Sequence, residues 1–191
     1  RFNYYSNLVP AVPKRFRRII DQAQVLIGGQ YWQAISGYGH APEHLAFYAA
    51  DSQVLISGDM VLPKISTNVS VYDTEPDADP LGLFLDSIKK FMHLDPKTLV
   101  LPSHGKPFFG LHIRIQQLQE HHVDRLQEAF DACAKPTTAR EILPVLFKRE
   151  LDHHQLSFAM GEAIAHLNHL WHNKRLKREM SADGVWRFSQ M

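Results

Sequence analysis

The chain has 191 residues, 45% of them hydrophobic and 21% charged, with 21 Lys and Arg against 20 Asp and Glu for a formal net charge of +1. That is room for one domain or one and a half with ordinary globular composition, and it excludes a bulk electrostatic attraction to nucleic acid. The one cysteine, Cys133, excludes an internal disulfide framework and suits a reducing, cytoplasmic setting.

No run nears the ~20 apolar residues of a membrane span, and no targeting pattern shows. The opening, Arg1 to Tyr5, has no cap or turn signal before it, and we expect a processed or truncated product. Pro10 and Pro13 break the start of the chain, and Lys14 to Gln22 reads as a short basic helix. Strands begin at Val25. Val25 to Ile27 and Tyr31 to Ser36 flank Gly28-Gly29, a hairpin signal. His44 to Ala49 and Val54 to Ser57 come next, rich in β-branched and aromatic residues.

After Asp59 comes a long polar loop, of the kind that is usually functional inside a compact domain. Leu81, Phe84, Leu85, Ile88 and Phe91 then keep helical spacing, and Thr98 to Leu101 is a short buried-type strand. Strand, helix, strand points to α/β layering. Leu111, Ile115, Leu118, Leu126 and Phe130 mark a long amphipathic helix that ends near Lys135-Pro136. A domain boundary falls there, giving units 1–134 and 135–191. In the second unit, Thr138 and Glu141 have capping-box spacing, and a helix spans about 155–173. Arg175 to Met180 and Val185 to Phe188 flank the turn Asp183-Gly184. Helix, helix, hairpin is the layout of a winged helix.

Three segments carry the chemistry: Gly37 to His44, Ser57-Gly58-Asp59 and Leu101 to Gly105. Each is a strand running into a loop that presents one potential metal ligand: His40, Asp59 or His104. Imidazole and carboxylate suit zinc, and also iron or manganese. His121, His122, His153, His154, His166, His169 and His172 fall instead in helical or helix-flanking stretches, where solvent or a core edge accounts for them.

Gly39-His40-Ala41-Pro42-Glu43-His44, Ser57-Gly58-Asp59 and Pro102-Ser103-His104-Gly105 together resemble the last three metal motifs of the metallo-β-lactamase-fold hydrolases. With its tail, the chain resembles the branch that includes β-lactamase-like protein 2. The resemblance implies an α/β fold: the C-terminal half of an αββα metallo-β-lactamase sandwich, followed by a small winged-helix domain. It implies a metal-dependent hydrolase of an ester, thioester or lactone, with two divalent metal ions and a metal-bridging hydroxide as nucleophile. His40 would serve the first metal, Asp59 both, and His104 the second. His44, Lys64, Asn68 and Tyr72 would stand behind the ligands or meet a small-molecule substrate.

The family's His-x-His-x-Asp-His motif has no counterpart in these residues. We therefore expect little or no metal binding and no turnover from this chain alone. We also expect an exposed sheet face that favours dimerisation or association. The alternative is a ribonuclease or nucleic-acid-binding member of the same fold. Its tail would use Lys174, Arg175, Lys177 and Arg178, while Asn168, His169 and His172 would touch bases or nothing; otherwise the tail packs on the preceding unit and shapes the substrate entrance. The segment's excess of basic over acidic residues is modest for that role.

Overall fold

The structure is a computed structural model that describes residues 9–191. The opening from Arg1 to Tyr5 lies outside the described residues. Five strands form one sheet in sequence order: β1 (Gln24–Ile27), β2 (Gln30–Gly37), β3 (His44–Ala49), β4 (Val54–Gly58) and β5 (Leu99–Pro102). Neighbours pair antiparallel from β1 to β4, whereas β5 lies parallel to β4. The β1–β2 turn works because Gly28 and Gly29 both take positive φ, 62° and 79°, as a two-residue hairpin requires.

The expected helix over Lys14 to Gln22 does not form. Phe16 and Ile20 stay exposed there, so no apolar face offsets the cost of helix nucleation. The end of the segment instead prolongs the sheet: the Gln22 amide donates to the Ala34 carbonyl, and the Ala34 amide to that of Ala23, both at 2.8 Å.

Helix α1 (Pro80–Lys89) and a 3₁₀ turn (Lys90–His93) make the crossover from β4 to β5. Asp79 caps α1 through the Gly82 amide, and Pro80 sits where a missing N–H costs nothing. Helix α2 (Leu111–Ala132) follows β5. The first core lies between these helices and one face of the sheet. Ile35, Tyr48, Leu55 and Val100 meet Leu81, Phe84, Ile88, Leu111, Ile115 and Leu118 there.

The other face is apolar but outside both cores. The pairs Ala34↔Phe47, Phe47↔Ile56 and Ile56↔Leu101 put these residues side by side. Trp32, Leu45, Val54 and Leu99 share that face by alternation, and all except Ala34 are at least partly open.

A second core gathers α3 (Ala139–Leu146), α4 (His153–His172) and the hairpin β6 (Leu176–Met180)–β7 (Trp186–Gln190). Ile142, Leu146, Ala163, Leu167, Leu176 and Phe188 fill it, and α2 contributes Ala129 and the neighbouring Cys133 packs beside it. The Thr138–Glu141 capping box forms in full, while Asp152 caps α4 slightly earlier than the sequence indicates. Among the described residues no helix is long and apolar enough to cross a membrane.

Candidate functional site

The topology brings the three motifs to one rim. Strands β2, β4 and β5 end there and β3 begins there, so the loops after Gly37, Gly58 and Pro102 converge. Two glycines make the approach possible. Gly39 (φ 96°) lies so close to α1 that a Cβ would sit 2.3 Å from the Pro80 carbonyl, and one on Gly58 (φ 53°) would sit 2.3 Å from His44 Nε2. Any side chain at either position would displace the loop.

Asp59 is the centre of the cluster. His40 Nε2 lies 3.5 Å from its Oδ2, and His104 Nε2 lies 3.5 Å from its Oδ1. Each carboxylate oxygen thus faces a different imidazole. His40 is aimed from behind: its Nδ1 lies 2.8 Å from the Asn68 carbonyl and donates to it. That turns Nε2 toward Asp59, the ring orientation metal-binding histidines generally show. Among the described residues His104 has no such support, and its side chain is 67% exposed.

His44 acts on the backbone. Its Nε2 accepts from the Asp59 amide at 3.3 Å, so it fixes where the carboxylate starts. Burial first, and then the neighbouring His40, push its pKa below the usual imidazole value, against a smaller opposing pull from Asp59. Two further anchors escape the sequence reading. The Ser103 hydroxyl donates to Asp59 Oδ1, and the Thr67 hydroxyl donates to the Asp59 carbonyl. Ser103 stands inside a recognised motif, so its place beside His104 was a usable signal. Thr67 lies in an irregular loop with none.

Asn68 enters through its carbonyl, while its side-chain oxygen accepts from Ser70. Tyr72, 60% exposed, lines a cleft of about 200 Å³ together with His40, Tyr38, Pro42 and Leu83. Lys64 is exposed on the same loop and does not line that cleft.

The donor chemistry suits divalent zinc, iron or manganese. Among the described residues, however, no three His, Cys, Asp or Glu side chains are grouped to hold one ion. Asp59 instead stands between two imidazoles, one carboxylate oxygen toward each.

Residues 126–191 match the metallo-beta-lactamase-like C-terminal domain. The chain is similar to a beta-lactamase domain protein from Burkholderia ambifaria, at 55% identity and a TM-score of 0.96, over 100% of this chain and 57% of that one. It is also similar to a metallo-beta-lactamase family protein from Thermus thermophilus, at 27% identity and a TM-score of 0.82, over 94% of this chain and 56% of that one. The probable metallo-hydrolase YqjP of Bacillus subtilis is 27% identical over 160 residues, 78% of this chain and 47% of the relative. The chain therefore spans about half the length of these relatives. Residues 4–104, more than half of the chain, match the metallo-beta-lactamase superfamily, and to that superfamily the chain belongs.

Proposed function

We propose that this chain carries the C-terminal part of a two-metal hydrolase acting on a small ester, thioester or lactone. The observation that supports it is Asp59, whose two oxygens each face a different imidazole Nε2 at 3.5 Å. One carboxylate oxygen per side is what a bridging ligand between two ions needs. Two divalent ions, when bound, activate water and polarise a scissile carbonyl. The residues of this chain orient that chemistry. The Asn68 carbonyl turns His40, the His44 ring and the Thr67 hydroxyl hold the Asp59 backbone, and Ser103 holds its carboxylate.

Two donors on each side fall short of the three protein ligands of a catalytic zinc site. The remaining donors come from outside the described residues, in a longer chain or a partner. The open apolar sheet face around Phe47 and Ile56 is where such a layer would pack, or where two copies would associate. We read the helix, helix, hairpin tail as a winged helix packed on the catalytic unit. The rival nucleic-acid role fits the side chains poorly. Asn168, His172 and Arg178 are bonded to the loop 76–78, and His169 is paired with Asp79.

The test is elemental analysis of the purified full-length protein with intact mass on the same sample. About two divalent ions per chain are expected, and an Asp59→Ala variant should lose both. Retention of a full complement by that variant would remove Asp59 from the bridging position and sink the proposal. Light scattering on these 191 residues alone checks the sheet face: association is expected, and a monodisperse monomer would argue against it.

A further inference from the structure

A groove that the metal site does not use runs between the tail and the loop after β4. It encloses about 840 Å³, within the ~300–1,000 Å³ of small-molecule sites. Met160 and Ile164 of α4, Val71 and Pro76 of the loop, and Val185 and Phe188 of the hairpin give it an apolar lining. The groove and the cleft beside His40 share Val71 and Tyr72, so the two adjoin across one stretch of loop.

The wall between them is held in place. Asn168, fully buried, donates through Nδ2 to the Pro76 and Ala78 carbonyls at 2.9 and 3.0 Å. His172 Nε2 donates to the Asp77 carbonyl at 2.8 Å. The Arg178 guanidinium lies over the Trp171 and Trp186 rings, 3.8 and 4.5 Å from their centroids, and binds Asp77 at 2.6 Å. Further along, the Val71 amide donates to the Gly161 carbonyl, where any larger residue on α4 would strike Ser70. A groove fixed at this many points is preformed, so a ligand need not order it.

Charge decides the occupant. Arg140, Arg178 and Arg187 line the groove, but so do Asp73 and Glu141. Arg178 is paired with Asp77, and Arg187 with Asp183 at 2.8 and 3.0 Å. A phosphate-rich ligand would find two of the three cations already paired and two carboxylates beside them. An alkyl chain would find an apolar trough. We infer that this groove binds the acyl chain of an ester or thioester substrate. The place of the reacting carbonyl rests on the hydrolase reading above, while the place of the chain rests on the groove.

The test separates the two. Octanoate, decanoate and dodecanoate are titrated calorimetrically into the full-length protein. If the chain is buried, affinity should rise by about tenfold for each two methylenes added. Val185→Glu, at a half-exposed hairpin position, should weaken dodecanoate binding about tenfold or more, the effect of a charge set in apolar surface. It should lower hydrolysis of p-nitrophenyl dodecanoate more than that of p-nitrophenyl acetate, whose acyl group is too short to fill the groove. Absence of dodecanoate binding, or binding indifferent to chain length and to Val185→Glu, would overturn the groove assignment. So would low-salt binding of a single-stranded RNA oligonucleotide that Val185→Glu abolishes while dodecanoate does not bind. Chain-length-dependent binding in a metal-loaded protein that hydrolyses no ester would support the groove and remove the hydrolase reading instead.

Discussion

Two groups of histidines do opposite things in this molecule. At the strand rim, His40 and His104 face one carboxylate, and His40 spends its other ring nitrogen on a backbone carbonyl. Between α2 and α4, His122 and His166 stack 5.6 Å apart with Phe84 and His121 against His122. Both are buried, and neither ring nitrogen of His122 has a partner among the described residues. Burial, reinforced by neighbouring histidines, depresses His122 to about 3 and His166 to about 4, against a partial lift for His166 from the Glu162 carbonyl. The rim histidines face a carboxylate, whereas the interior ones are neutral packing groups. The difference lies in what surrounds the imidazole.

The largest effect that could break this contrast is at Asp59. In the full-length protein assayed with added divalent metal, Asp59→Ala should lower kcat for a p-nitrophenyl ester by at least ~10³-fold. That corresponds to several kcal/mol of transition-state stabilisation. Steady-state kinetics on variant and parent would show it. A variant within about tenfold of the parent, worth only ~1.4 kcal/mol, would mean that the rim cluster is as structural as the interior one.

The interior group should announce itself through pH. Folded values of about 3 and 4 lie below the ordinary 6.5. As pH falls below 6.5 the unfolded chain therefore takes up protons that the folded chain refuses, and stability is lost down to about pH 4. Each histidine contributes about 2 kcal/mol of that loss at about pH 5. Glu162 works the other way. Burial raises its carboxyl to about 7 from 4.5, so its contribution is present at low pH and lost as pH rises through 7. The two histidines together outweigh it, and the net expectation is a lower urea midpoint at about pH 5 than at about pH 7. The His122→Leu/His166→Leu double variant should reverse that trend. A midpoint equal at the two pH values in the parent would mean that the interior imidazoles protonate without cost.

Much of this architecture was legible because the signals are local. Gly28-Gly29, the alternation in β2 to β4 and the Thr138–Glu141 spacing each specify their structure within a few residues, and each forms. Three candidate side chains after three strand ends were expected at one rim, and His40, Asp59 and His104 do come together there. What stayed hidden is long-range. Asn168, His169 and His172 left two readings open, contact with bases or packing on the preceding unit, and they bond to Pro76 to Asp79, some 90 residues earlier. Nothing in the spacing of a helix says which neighbour it will meet. The basic stretch Lys14 to Gln22 failed for a related reason: helical composition without an apolar face has no partner to settle against.

The finest test applies one substitution to both groups. His40→Leu removes a nitrogen that faces Asp59 and another that binds the Asn68 carbonyl, so it should cost metal and activity. His122→Leu removes two nitrogens that are buried without partners among the described residues and replaces them with a branched apolar group beside Phe84. Deleting unsatisfied polar atoms from an interior is stabilising when the shape is kept. His122→Leu should therefore raise unfolding free energy by about 1 kcal/mol, read as a higher urea midpoint at unchanged slope. A loss of similar size would show that the buried imidazole is hydrogen-bonded after all, through water between the helices, and that the interior histidines do more than pack.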